Sequence, residues 1–219
     1  MKTRNYTKAI FTSLLLCVFA VSVNSAMAQR HKSNSRQFDY QLRGGINFCQ
    51  IDGDASGSYS KIGFHAAVGT SFPLNDDNRL RFVVELGLSQ KGSRIATSEM
   101  DRHISLLYVE VPLMLAYDFF DNKSLRISAG IAPAILAKAN VYTDRSYDAL
   151  HSNNYKTLDA LPICISANYN ITELIGVDVR YYNSMLNTAK ENHSGTYRII
   201  RSNKGQFNRL LQAGITLNF

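Results

Sequence analysis

From Phe38 onward, apolar and polar residues alternate with a period of two. Phe38, Tyr40, Leu42, Ile46 and Phe48 share one face, while Asp39, Gln41, Arg43, Asn47 and Cys49 share the other. This is the period of an extended strand, whose successive side chains point to opposite faces. A second run sets Ile62, Phe64, Ala66, Val68 and Phe72 against Lys61, Gly63, His65, Ala67 and Ser71. A third sets Leu80, Phe82, Val84, Leu86 and Leu88 against Arg81, Glu85, Gly87, Ser89 and Lys91. The fourth carries Leu107, Val109, Leu113, Leu115 and Tyr117 opposite Tyr108, Glu110, Met114 and Asp118. The fifth carries Leu125, Ile127, Ile131 and Ile135 opposite Arg126, Ser128, Gly130 and Lys138. The last three are centred on Ile163 to Tyr169, Ile175 to Tyr182 and Leu211 to Phe219. The pattern predicts eight strands and no helix.

The predicted connections alternate in length. Segments 52–60, 92–103, 139–156 and 185–206 are long, whereas tight polar turns join the remaining pairs. Long loops at one end, short turns at the other and an even strand number describe an antiparallel, up-and-down transmembrane β-barrel with both termini on the periplasmic side. A soluble, lipocalin-like carrier is the alternative, with the apolar face turned inward. The polar face argues against it, because it is rich in Gly, Ala and Ser with charges of both signs. Such residues suit the narrow interior of an eight-stranded barrel. Pro112, Pro133 and Pro162 interrupt this pattern and predict bulges or strand ends, since proline gives a ladder no N–H.

The N-terminus reads differently. Lys2, Arg4 and Lys8 precede an apolar stretch over 9–23, followed by the small-x-small triplet Ala26, Met27, Ala28. That is the layout of a secretory signal peptide covering 1–28, followed by a short polar segment at 29–37 and a barrel domain at 38–219. Cys17 lies inside the apolar stretch, too early for a lipidated N-terminus. As the one continuous apolar segment of a 219-residue chain, 9–23 excludes a helical transporter. Cleavage removes three of the charges behind the formal net charge of +7, leaving a modest basic balance, so an exported chain of this kind has no nucleic-acid partner. Cys49 and Cys164, on the first and sixth strands, are expected as buried free thiols.

The stretches KIGFHAAV (61–68), VELGLSQKGS (84–93), YVEVPLML (108–115) and GIAPAILAKA (130–139), with a C-terminal strand ending in Phe219, resemble the PorT-like outer-membrane β-barrel proteins of Bacteroidota. The resemblance implies an outer-membrane barrel, inserted by the assembly machinery through its last strand, in a family whose members mostly have no assigned activity. Its namesake is linked to secretion of exported proteins, a role that no residue here identifies.

Candidate chemistry divides between interior and rim. Arg43, Lys61, Arg81, Glu85, Lys91, Glu110, Arg126, Asp178 and Arg180 fall on inward positions and predict a salt-bridge network filling the barrel; a narrow solute channel is the alternative. Lys190, Arg198, Arg201 and Lys204 in the last long loop, with Arg209 at the strand's start, form a basic rim suited to lipopolysaccharide phosphates. Tyr142, Tyr147 and Tyr155 in the third loop read as an interfacial belt or a binding surface. His103 and Ser105 share the lipid-facing parity and resemble the Ser–His pair of outer-membrane lipid A deacylases, with Glu99 and Asp101 nearby. A triad also needs a carboxylate that orients the histidine, so no catalytic residue is assigned and no enzymatic activity is predicted. There is no metal cluster, phosphate loop or nucleotide motif, hence no expected cofactor. The sequence thus predicts a monomeric barrel acting through four external loops as a binding or structural element.

Overall fold

The computed structural model describes residues 38–53, 59–96, 101–120, 123–143, 146–147, 154–189 and 205–219. The expected signal peptide and the segment 29–37 lie outside them. The strands are β1 (Asp39–Asp52), β2 (Lys61–Pro73), β3 (Leu80–Ala96), β4 (Asp101–Glu110), β5 (Leu113–Phe119) and β6 (Leu125–Ile131). They continue with β7 (Ala134–Thr143), β8 (Ser146–Tyr147), β9 (Leu158–Asp159), β10 (Pro162–Asn170), β11 (Ile175–Ser184) and β12 (Phe207–Asn218). All pairings are antiparallel, and the sheet closes on itself where β1 meets β12 from Gln41↔Asn218 to Asp52↔Phe207. Closure removes the free edges that an open sheet would expose.

Three positions of the wall are each shared by two strands. β3 pairs with β4 through Gly87↔Glu110 and with β5 through Val84↔Leu113 without a change of register, so β4 and β5 are two halves of one wall strand. The same holds for β6 with β7, and β9 and β10 share a third position with a one-residue shift between Ala134↔Asp159 and Ile131↔Ile163, giving a ring of eight. The interruptions are the three prolines. Glu85 N–H donates to Pro112 O (3.0 Å), Val111 N–H to Pro133 O (2.9 Å) and Ala132 N–H to Pro162 O (2.9 Å). In each such pair the return bond cannot form, because proline lacks the N–H. Prolines of mixed parity in the sequence, Pro112 and Pro162 on one and Pro133 on the other, thus lie along one row of rungs and remove one bond from each of three successive ladders.

Burial is inverted relative to a soluble protein. Leu42, Ile62, Val68, Leu115, Ile165 and Ile215 point outward and are between 44% and 69% exposed, while Arg43, Glu85 and Arg180 are buried inside. This orientation is opposite to that of a lipocalin-like carrier. At the short-turn end Phe72 packs on Phe82 (5.4 Å) and Tyr117 on Phe119 (4.9 Å), aromatic residues suited to a membrane interface.

Four expectations are corrected. Segment 92–103 is mostly not loop: β3 runs to Ala96 and β4 starts at Asp101. In the long-loop half the interior carries an apolar cluster of Ile51, Ile104, Leu106, Tyr108, Val141 and Tyr155 beside the buried Lys91, so the apolar-outside rule that marks strands elsewhere reverses there. Tyr155 belongs to that cluster and not to a surface belt. Finally, Lys138 points outward. Leu107 pairs with Lys138 but Tyr108 with Leu136, so Ala137 is an extra residue, a β-bulge that exchanges the faces beyond it.

Candidate functional site

The inward positions build the site in tiers. Nearest the short turns, Asp39 accepts from Arg81 (2.8 Å) and Arg126 (3.4 Å), and Arg126 also holds Asp118 through two nitrogens. Arg81 Nε donates to Ser71 Oγ (3.0 Å). The next tier centres on Glu85. Its carboxylate receives both terminal nitrogens of Arg180 (2.8 and 2.9 Å), Arg43 Nη2 (3.3 Å) and Gln41 Nε2 (2.8 Å). Arg43 Nη1 donates in turn to Asp178 (3.0 Å) and Gln212 Oε1 (2.8 Å). A two-nitrogen fork on one carboxylate is the geometry that planar guanidinium favours.

Above these, Lys91 Nζ stands 3.2 Å from Glu110 and within 5.0 and 5.4 Å of the ring centres of Tyr108 and Tyr182. Lys61 Nζ donates to the carbonyl of Lys91 (2.9 Å). Asn47 bonds to Phe64 O (2.9 Å) and to His65 Nδ1 (2.8 Å). Among the described residues, the buried charges are the cations Arg43, Lys61, Arg81, Lys91 and Arg180 and the carboxylates Glu85, Glu110, Asp118, Asp159 and Asp178. The two signs balance five to five, as burial demands.

Little space is left beside the Glu85 network. The cavity bounded by Arg43, Glu85, Arg126 and Asp178 is about 10 Å³, room for one water molecule. Further out, the apolar cluster of Ile104, Leu106, Val141 and Tyr155 lies inside the barrel. Tyr155 is fixed there by a bridge to Ala189, beside Lys156 N–H, which donates to Thr188 O (2.7 Å). Cys49 and Cys164 are free and buried.

The structure brings the nine inward charges of the sequence reading into these tiers and adds Asp39, Asp118, Gln41 and Gln212 as partners. Strand parity places all four on the inward face; which charge each meets depends on register between strands far apart in sequence. At the rim, Lys190, Arg198, Arg201 and Lys204 lie outside the described residues, and Arg209 pairs with Asp52 (3.0 Å). His103 and Ser105 are on the outer face as expected. The Ser105 hydroxyl accepts from Gln90 Nε2 (2.9 Å), and His103 stacks on Tyr142 (6.4 Å). Asp101 lies against Arg94 (3.6 Å).

A family model for the outer membrane protein beta-barrel domain matches residues 27–190, well over half of the chain. The chain belongs to this family. It is an outer-membrane β-barrel protein, and the balanced, packed interior is that of a barrel whose wall faces lipid. Among solved structures it is similar to the Neisserial surface protein A (17% identity, TM-score 0.45, covering 85% of this chain and 98% of that one). It is also similar to Ail, the attachment invasion locus protein of Yersinia pestis (10%, TM-score 0.47, covering 84% and 99%). OprG from Pseudomonas aeruginosa is another (9%, TM-score 0.39, covering 84% and 97%). A comparison with curated protein sequences finds no match.

Proposed function

We propose that this protein is a closed, PorT-like barrel that works as a binding or structural element of the outer membrane through its external face, after loss of residues 1–28. The observation that carries this reading is the filled interior: Glu85 held by Arg180 and Arg43, with a residual cavity of about 10 Å³ beside them. A permeating ion would have to separate these buried pairs, and each separation leaves an uncompensated charge at a cost of about 3–5 kcal/mol. The external end then carries the function, with lipopolysaccharide as its nearest neighbour.

Two measurements test this. Protein taken from the outer-membrane fraction should migrate faster on a gel before boiling than after, the mark of a folded barrel. The same material should seal in planar bilayers without steady single-channel steps. Recovery of the protein as a soluble periplasmic species, or reproducible conductance from the folded band, would overturn the proposal.

A further inference from the structure

Outward positions of β3, β4 and β7 change character along one line. Below it the rung of Leu88, Val109 and Ile135 is apolar; at it Gln90, Leu107 and Lys138 stand opposite one another; above it stand Ser105, His103 and Asn140. On a barrel wall such a change marks the border between acyl chains and headgroups. The bulge at Ala137 is what completes it on β7. By turning the strand over, it sends Ala139 and Val141 into the apolar interior and brings Lys138 and Tyr142 to the outer face, where Tyr142 pairs with His103 and Lys138 with Leu107. Bulges commonly re-aim side chains at sites of function.

Cations gather at this border. Arg94 is 56% exposed on β3, and Lys138 is exposed on β7. Leu136 N–H donates to Thr157 O (2.7 Å), which sets the exposed Lys156 beside the bulge. Among the described outward residues of this stretch, Asp101 is the sole carboxylate. An open groove of about 380 Å³ runs between Arg94, Asp101, His103 and Tyr142. Here three cations face this one carboxylate, which lies 3.6 Å from Arg94, whereas on the opposite wall Arg209 is matched one to one with Asp52 at 3.0 Å.

We propose that Arg94, Lys138 and Lys156 form a binding site for the phosphate groups of outer-leaflet lipopolysaccharide, with Tyr142 and His103 lining the groove beside them. The position selects the occupant. Side chains on the outer face of a membrane-spanning wall, directly above its apolar belt, meet lipid headgroups, and in the outer leaflet those carry phosphate. Arg and Lys supply the charge-assisted donors that phosphate oxygens accept. The site rests on the outer-membrane reading above and adds to it a location and a ligand group.

The test uses the full mature chain, purified in detergent as the folded, heat-modifiable form, and titrated with fluorescently labelled lipopolysaccharide. A basic residue at an anionic membrane surface contributes about 1 kcal/mol, or about fivefold in affinity. Arg94→Gln, Lys138→Gln and Lys156→Gln should therefore each weaken binding about fivefold and the triple variant about a hundredfold. Lys123→Gln, in the short turn between β5 and β6 at the other end of the barrel, should leave it unchanged, and chemically dephosphorylated lipopolysaccharide should bind the wild type as weakly as intact ligand binds the triple variant. Unchanged affinity in the single variants would overturn the proposal, as would a loss in Lys123→Gln equal to theirs. Equal binding to phosphatidylglycerol vesicles would overturn the assignment to lipopolysaccharide. The gel shift of each variant reports folding separately, so a defect in the barrel is not read as a defect in the site.

Discussion

Replacing Glu85 by Gln tests the tiered interior most sharply. The carboxylate holds Arg180 at 2.8 and 2.9 Å and Arg43 at 3.3 Å, with its side chain and both partners' between 1% and 3% exposed. Removing its charge leaves two buried guanidinium groups with Asp178 as the shared carboxylate, 3.0 Å from Arg43 and 4.0 Å from Arg180. Taking away one partner of a buried pair costs about 3–5 kcal/mol, because the remaining charge stays desolvated. Glu85→Gln should therefore lower stability by about that amount. Removing both sides should not: Glu85→Met with Arg180→Met leaves Arg43 opposite Asp178 and should recover most of the loss, since apolar replacement of a buried pair is often neutral or better. With no Trp in the chain, unfolding is best followed as loss of the fast-migrating gel band across a urea series in lipid vesicles. A Glu85→Gln variant within about 1 kcal/mol of wild type would refute the reasoning, and so would a double variant less stable than the single one.

Other parts of the wall make separate predictions. Gly92 has φ +138°, and a Cβ there would sit 2.1 Å from the carbonyl oxygen of Ile104. Gly92→Ala should therefore destabilise the barrel by at least about 1–3 kcal/mol in the same urea series. Cys49 and Cys164 are buried and free, so the folded protein should resist maleimide labelling and run alike with and without reductant, whereas urea-unfolded protein should take up two labels on the mature chain. Pro112→Ala restores an N–H facing Glu85 O. The new ladder bond is worth about 1 kcal/mol, and the freedom returned to the unfolded chain offsets about 0.4–1 kcal/mol of it. Stability should thus change little while the amide introduced at position 112 exchanges slowly in NMR spectra; rapid exchange there would show that the row of prolines does not lie on the ladder.

Most of the wall is legible in the sequence, for a physical reason. Wherever lipid lies outside and side chains pack inside, each strand must alternate, and Arg43, Glu85 and Arg180 take the inward parity without help from their neighbours. The partners of these charges are less legible. Arg180 and Glu85 are 95 residues apart, and their meeting depends on the cumulative register of every strand between them. Parity assigns a face, while register assigns a contact.

The same logic explains where the reading fails. Past the membrane border the outside is polar and the inside apolar, so Ile104 and Val141 point inward and the run 92–103 loses the signature of a lipid-facing strand although it remains one hairpin. Lys138 is misplaced because one residue, Ala137, carries no propensity signal for a bulge, yet its insertion reverses every side chain that follows it on β7. That reversal is consistent with both environments it meets: a continued alternation would aim Lys138 and Asn140 into the cluster around Leu106 and leave Val141 at the headgroups. The bulge lets a strand that crosses the border keep apolar groups inside and cations outside. It is also why the proposed phosphate site could not be read from spacing alone.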